Sequence, residues 1–228
     1  MRKKITDRIL NKVKEDYTLI ASDFDRTRRK QESSVYPIML DFIKNNDVFV
    51  DLGCGNGRAY DYISKHKNIR YIGIDNNKRL LEKAREQFTE KFIEGDFLNL
   101  PLEAELADVA LAGASLHHIP SKVLRIKALS EAYRILKPNG IFIVTVWNLF
   151  QPKYKKYIWK ARLKWLLSLG GYDSRDTFIP WRYTNIKRYY YAFTPKELKC
   201  LLEKNGFKIL KSEVSKDIIF ICQKKQNK

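Results

Sequence analysis

Three cysteines, Cys54, Cys200 and Cys222, are too few and too irregularly spaced for a disulfide framework or a zinc site. No metal centre is expected. Long apolar runs are missing too: nothing approaches the roughly 18 residues that a membrane-crossing helix needs. The opening MRKKITDRILNK is basic but lacks the apolar stretch that secretory signals carry. A reduced, cytoplasmic protein without a membrane span is the expectation. Acids are scarce beside bases, with 26 Asp and Glu against 44 Lys and Arg and a net charge of +18. That excess favours polyanions through phosphate contacts and counterion release, although a generally lysine-rich proteome gives the same balance. Repeats, low-complexity segments and internal linkers are absent. At 228 residues, 44% hydrophobic and 13% aromatic, the chain suits one folded domain and excludes disorder.

What is present is a change of period along the chain. Residues 8–24 place Ile9, Leu10, Val13, Tyr17, Ile20 and Phe24 at spacings of three and four, as an amphipathic helix does. A second helix is predicted over 35–45, with Pro37 in its first turn. VFVDLG (48–53) is then a short apolar run ending in glycine, the pattern of a buried parallel strand. Residues 57–65 suit a helix, 70–75 a strand and 77–88 a helix that Asn76 or Asn77 can cap. Strands follow at 91–97 and 107–113, and a helix over 121–140 ends at Pro138 and Gly140. Residues 141–147 form the next strand, 150–192 a basic and aromatic stretch with a helical part, and 194–206 a helix capped by Thr194. Two antiparallel strands close the chain. Strands alternating with helices predict a mostly parallel sheet covered on both faces.

Gly53, Gly55 and Gly57 stand between the first strand and its helix, where the backbone must turn tightly and can approach a ligand. Asp75 ends the second strand, twenty residues after Gly55, where a carboxylate can accept hydrogen bonds from both hydroxyls of a ribose. Asp51 precedes the glycines; it would repel a pyrophosphate but suits a positively charged amino-acid group.

DLGCGNG, Asp75 and the EGDF segment with Asp96 resemble the class I S-adenosylmethionine-dependent methyltransferases, whose glycine motif is E/D-x-G-x-G-x-G. The KPNG turn resembles their K-P-G-G. The resemblance implies an α/β, Rossmann-like class I methyltransferase fold: a seven-stranded, mostly parallel sheet with helices on both faces and a closing antiparallel strand pair. It implies S-adenosyl-L-methionine as cofactor, held by Asp51, Gly53, Gly55, Gly57, Asp75, Asn76, Asp96, Phe97 and Ala112. One domain over 1–228 is expected, with a helical segment at 1–45, a cofactor core at 46–147, a basic and aromatic lid at 148–193 and a terminal helix and strand pair at 194–228.

Two flanking segments narrow the resemblance. IASDFDRTR (20–28) is similar to the I-A-x-x-F-x-x-T-R segment of the yeast and human methyltransferases that esterify 5-carboxymethyluridine at the tRNA wobble position. IPW (179–181) and RYYYAF (188–193) are similar to their V-P-W and R-Y-Y-H-x-F. The family's K-P-W-P is absent where RKQESSVYP stands, and Tyr191 replaces the histidine. The resemblance implies a tRNA anticodon loop as substrate and a small zinc-binding activator protein as partner.

A carboxylate acceptor is already a nucleophile at neutral pH; it needs in-line approach and a cation to position it. Arg28 and Arg188 are the candidates for holding the acceptor or the cofactor's own carboxylate, with Arg182 in reserve. Ser115, His117 and His118, after the fourth strand, lie where the sulfonium is expected, with one histidine functional and the other packing or capping. In 150–165 cations interleave with Tyr154, Tyr157, Trp159 and Trp165, which suits an unpaired RNA loop. An amphipathic lid helix burying Tyr154, Ile158, Ala161, Trp165 and Leu169 is the plainer alternative. The other functions kept open are a small-molecule O- or N-methyltransferase and a catalytically silent RNA-binding subunit.

Overall fold

A computed structural model of the chain describes residues 3–29, 33–182 and 184–225. Five strands are parallel: β1 (Val48–Leu52), β2 (Arg70–Asp75), β3 (Lys91–Glu94), β4 (Ala107–Gly113) and β5 (Leu136–Trp147). The closing pair, β8 (Phe207–Val214) and β9 (Asp217–Lys224), runs antiparallel, and the sheet order is β3-β2-β1-β4-β5-β9-β8. Alternation along β1 sends Val48, Val50 and Leu52 into one core layer and Phe49 into the other. Strand order reverses between β1 and β4, so a crevice opens there at the carboxyl edge, where ligands bind in such sheets.

Two features bring other elements to that edge. Helix α1 (Lys3–Arg28) is longer than the predicted 8–24 and packs on α4 (Lys78–Arg85). Asn77 explains the docking: its Oδ1 accepts from the Leu80 amide as the cap of α4, while its Nδ2 donates to the Lys14 carbonyl and the Thr18 hydroxyl of α1. The second feature was not anticipated. Within the basic stretch, β6 (Asp176–Pro180) and β7 (Lys187–Tyr191) form a separate antiparallel pair, and β7 lies against α1. Three consecutive tyrosines favour a strand, and a strand divides them between its faces.

Several boundaries differ from the sequence expectation. The helix predicted over 121–140 ends at Ile135, and KPNG belongs to β5. Pro138 holds Lys137 extended and cannot continue a helix, and Asn139 takes φ 62 before Gly140. The strand predicted to 97 stops at Glu94, so Asp96 sits in a turn bridged to Asn99. The segment 35–45 is a short α2 (Val35–Met39) followed by a 3-10 turn. Residues 30–32 of RKQESSVYP lie outside the described residues. Among the described residues no helix is long and apolar enough to cross a membrane, and no cluster of His, Cys, Asp and Glu could hold a metal.

Candidate active site

A cavity of about 430 Å³ opens at the carboxyl edge, within the usual range for small-ligand sites. One half of its wall comes from consecutive strand–helix turns. Gly53 has φ +84, and a Cβ there would lie 2.6 Å from the Ser115 Cβ, so no side chain fits between the ends of β1 and β4. The Asp75 carboxylate is aimed by two amides: Gly55 N–H and Asn77 N–H donate to its separate oxygens, each at 2.8 Å. Desolvation pushes its pKa up while those amides pull it down. Asp96 accepts from the Leu98 amide at 2.8 Å, and Asn76 and Phe97 also line this half.

Three expected cofactor residues stand off the cavity wall. Asp51 is the clearest correction. It shares the β1 face of Phe49, so its side chain is buried beneath the sheet and accepts the Tyr71 hydroxyl at 2.8 Å. Burial raises its pKa to about 7. Gly57 is the N-terminal cap of α3 (Arg58–Ile63); a Cβ there would meet Phe88 and Phe92, so its role is local packing. Ala112 is wholly buried inside β4.

The other half is aromatic and cationic. Alternation in β7 turns Arg188 and Tyr190 to the cavity. Tyr189 turns away to donate to Asp176 at 2.7 Å, and Tyr191 donates to Glu197 at 2.6 Å under the Arg125 guanidinium. The departure at Tyr191 therefore leaves the cavity wall untouched. Arg188 is 4% exposed and forms no ion pair with a described residue. Its guanidinium lies 4.5 Å from the Trp181 ring centre, 5.1 Å from Tyr190 and 5.6 Å from both Tyr17 and Trp147. Aromatic faces satisfy a cation without using its N–H groups. Trp181 is fixed in turn by its indole N–H to Asp23 at 2.7 Å, and it also carries Arg28 at 5.0 Å. Arg28 lines the cavity; burial and the nearby charge of Arg188 hold its pKa below the ordinary arginine value. Arg182 faces Asp23 instead, at 3.9 Å.

Both histidines line the cavity, on a 3-10 turn (Leu116–His118) after β4. Burial drives the pKa of His117 well below its ordinary value and that of His118 to about 3, so both are neutral. Sequence reasoning missed Tyr17 and Trp147 as wall residues, and Trp181 as the ring that holds Arg188; Tyr190 is the tyrosine of the 189–191 run that lines the wall. Tyr17 reads as one more apolar position of a helix, and only the IPW and RYYYAF matches signalled Trp181 and Tyr190. In the lid helix α6 (Lys155–Leu167), Ile158 and Ala161 are buried as expected, but Trp165 and Leu169 are exposed. Tyr154, just before it, stacks on Trp147 with ring centres 6.3 Å apart.

Residues 50–144 match the family described as "Methyltransferase domain". The seven-stranded sheet, with the cavity at its switch point, has the fold of the class I, S-adenosylmethionine-dependent methyltransferases, and the match falls on the strands and turns that line that cavity. It is 27% identical over 234 residues to the "tRNA (carboxymethyluridine(34)-5-O)-methyltransferase" of Schizosaccharomyces pombe, covering 92% of this chain and 94% of that one. A protein of the same name from Arabidopsis thaliana is 33% identical over 131 residues, covering 58% of this chain; the chain spans only 31% of that relative's length. A chain from the Haloferax volcanii complex between the Trm112 methyltransferase activator and a methyltransferase superposes with a TM-score of 0.70 at 16% identity, covering 95% of this chain and 99% of that one. The glycine turn, with room only for backbone, and the amide-aimed Asp75 fit a nucleoside cofactor. S-adenosylmethionine, when bound there, supplies a methyl group on positively charged sulfur.

Proposed function

We propose that the chain methylates the carboxylate of 5-carboxymethyluridine at the wobble position of tRNA, forming a methyl ester. Gly53, Gly55, Asp75, Asn76, Asp96 and Phe97 hold the cofactor, and Arg188, assisted by Arg28, holds the acceptor. The observation that carries this reading is Arg188. A buried arginine normally pairs with a carboxylate; this one is packed by rings and forms no ion pair with a described residue, with Asp16 acting on it only through space and its Nε lacking any hydrogen-bond partner. An acceptor that brings its own negative charge completes the site, and a planar guanidinium suits a carboxylate. The charge of +18 and the exposed cations of α6 support a polyanionic carrier for that acceptor. The relatives' names support tRNA, and with it a cytoplasmic setting. The Haloferax volcanii complex supports a small activator protein as partner. Mass spectrometry of tRNA from a strain deleted for this chain tests the reading: loss of the wobble methyl ester is expected, and unchanged wobble uridines would overturn it.

A further inference from the structure

We infer that neither histidine at the acceptor end of the cavity is a general base and that the donors gathered around Arg188 select acceptors that are already anionic, with His118 and Tyr17 as positioning residues for Arg188. The inference takes the acceptor's identity from the proposed function, but the proton positions stand independently of it.

Hydrogen-bond geometry assigns both tautomers. His118 Nδ1 lies 2.7 Å from the Tyr189 carbonyl oxygen, which can only accept, so Nδ1 carries the proton. Nε2 is then a lone pair and accepts the Tyr17 hydroxyl at 2.8 Å. The Tyr17 oxygen in turn accepts from Arg188 Nη1 at 3.1 Å. Every proton of this relay is committed, and it runs one way, from the guanidinium to the backbone. His117 is the opposite tautomer. The Trp147 amide donates to its Nδ1 at 3.2 Å, which leaves the proton on Nε2. That Nε2 is buried without a partner. Neither imidazole therefore offers the cavity a lone pair.

Four residues that line this one cavity carry a buried polar atom without a partner: Ser115 Oγ, His117 Nε2, Arg188 Nε and Tyr190 Oη. The last three are close together, with the rings of His117 and Tyr190 5.0 Å apart and the Arg188 guanidinium 5.1 Å from Tyr190. Each can donate; His117 Nε2 and Arg188 Nε can do nothing else. The charged group facing the histidines is Arg188, from β7; α1 contributes Tyr17 and Asp16, whose carboxylate acts on Arg188, and β5 contributes Trp147. Of the carboxylates on the cavity wall, Asp75 and Asp96 belong to the cofactor half; Asp217 of β9 lies across from Trp147 and accepts from the Ser34 hydroxyl at 2.9 Å.

The chemistry follows. A carboxylate oxygen gives its electron pair to the new O–C bond, the C–S pair leaves with sulfur, and no proton moves. An amine or alcohol must lose a proton, and neither histidine on this wall takes it. A carboxamide would set its NH2 donors against donors.

Nitrogen-15 NMR of the histidine-labelled full chain, without acceptor, reads the tautomers directly. The expected result is His117 protonated on Nε2 and His118 on Nδ1, both unchanged from about pH 5 to 8. An imidazolium in that range, or an unprotonated Nε2 on His117, overturns the inference whatever the acceptor is. Methyl transfer to tRNA bearing 5-carboxymethyluridine is then compared with tRNA bearing the carbamoylmethyl analogue. A rate constant across about pH 6 to 9 and a drop of roughly 100-fold or more for the amide are expected. A rate that climbs with a midpoint in that window overturns the inference. No transfer to the carboxylate tRNA refutes the proposed function alone, and the NMR result then decides the inference. Tyr17→Phe should raise the acceptor KM about tenfold while leaving kcat and the S-adenosylmethionine dissociation constant in place. A loss of cofactor affinity instead would make Tyr17 merely structural.

Discussion

The two halves of the cavity are built in opposite ways. The cofactor half is local and lined with carboxylates: Gly53, Gly55, Asp75 and Asp96 come from the turns after three successive strands, and the two carboxylates are aimed by neighbouring amides. The acceptor half is assembled at long range, with cations held by rings: Tyr17 from α1, His117 and His118 after β4, Trp147 from β5, and Trp181, Arg188 and Tyr190 around the β6–β7 pair. Backbone amides neutralise the acids on one side. On the other, aromatic faces hold Arg188, whose Nη1 donates to Tyr17 while its Nε is left without a partner. Under the proposed function an anionic acceptor meets the opposite sign at Arg188 and Arg28, which positions it before any bond changes.

The largest effect should come from Arg188. Arg188→Met should lower kcat/KM for a carboxylate acceptor by roughly 100-fold or more, as loss of a buried charge-bearing donor does, with cofactor affinity kept. Equal loss of cofactor affinity, read by calorimetry, would erase the division between the halves. Asp75→Ala is the mirror test. It should weaken S-adenosylmethionine binding by about 10- to 100-fold, the range for losing a charged hydrogen-bonding group, and leave acceptor binding intact.

Asp51 sharpens the same comparison through pH. Its folded pKa of about 7 lies above the ordinary 3.8, so the folded state holds more protons than the unfolded state between those values. Its contribution is fully present below the lower value and is lost as pH rises through the folded pKa. Asp51→Asn removes that dependence. Its stability relative to the natural chain should grow between about pH 4 and 7 by at most about 1.4 kcal/mol per pH unit, with cofactor affinity unchanged. The histidines act with the opposite sign: their folded pKa values are depressed, so stability falls as pH drops below about 6.5. Chemical denaturation at a series of pH values, for both proteins, separates the two. Leu166→Ser on α6 should change least, within about 0.5 kcal/mol, because the side chain is 65% exposed.

The contrast between the halves also separates what was legible from what was not. Periodicity located the seven strands of the main sheet because burial imposes a period on each, but not the β6–β7 pair. The glycine turn and Asp75 were legible because a strand end followed by a helix puts them at a fixed spacing. Asp51 was misjudged because a motif gives position along the chain but not which face of the strand a side chain takes. Arg188 was singled out from RYYYAF, yet its lack of an ion pair with described residues could not be read from neighbours in sequence.

By itself the sequence determined the alternating α/β order, the glycine turn at the end of β1 and the acidic residue at the end of β2, all of which follow from local geometry and hydrophobic period. Only the tertiary structure decided that Arg188 and Tyr190 share one face of β7 against α1, that His117 and His118 hold opposite tautomers, and that Trp181 carries three arginines, Arg28, Arg182 and Arg188. Those facts depend on partners up to 171 residues apart, as between Tyr17 and Arg188. Burial, not spacing, set their chemistry.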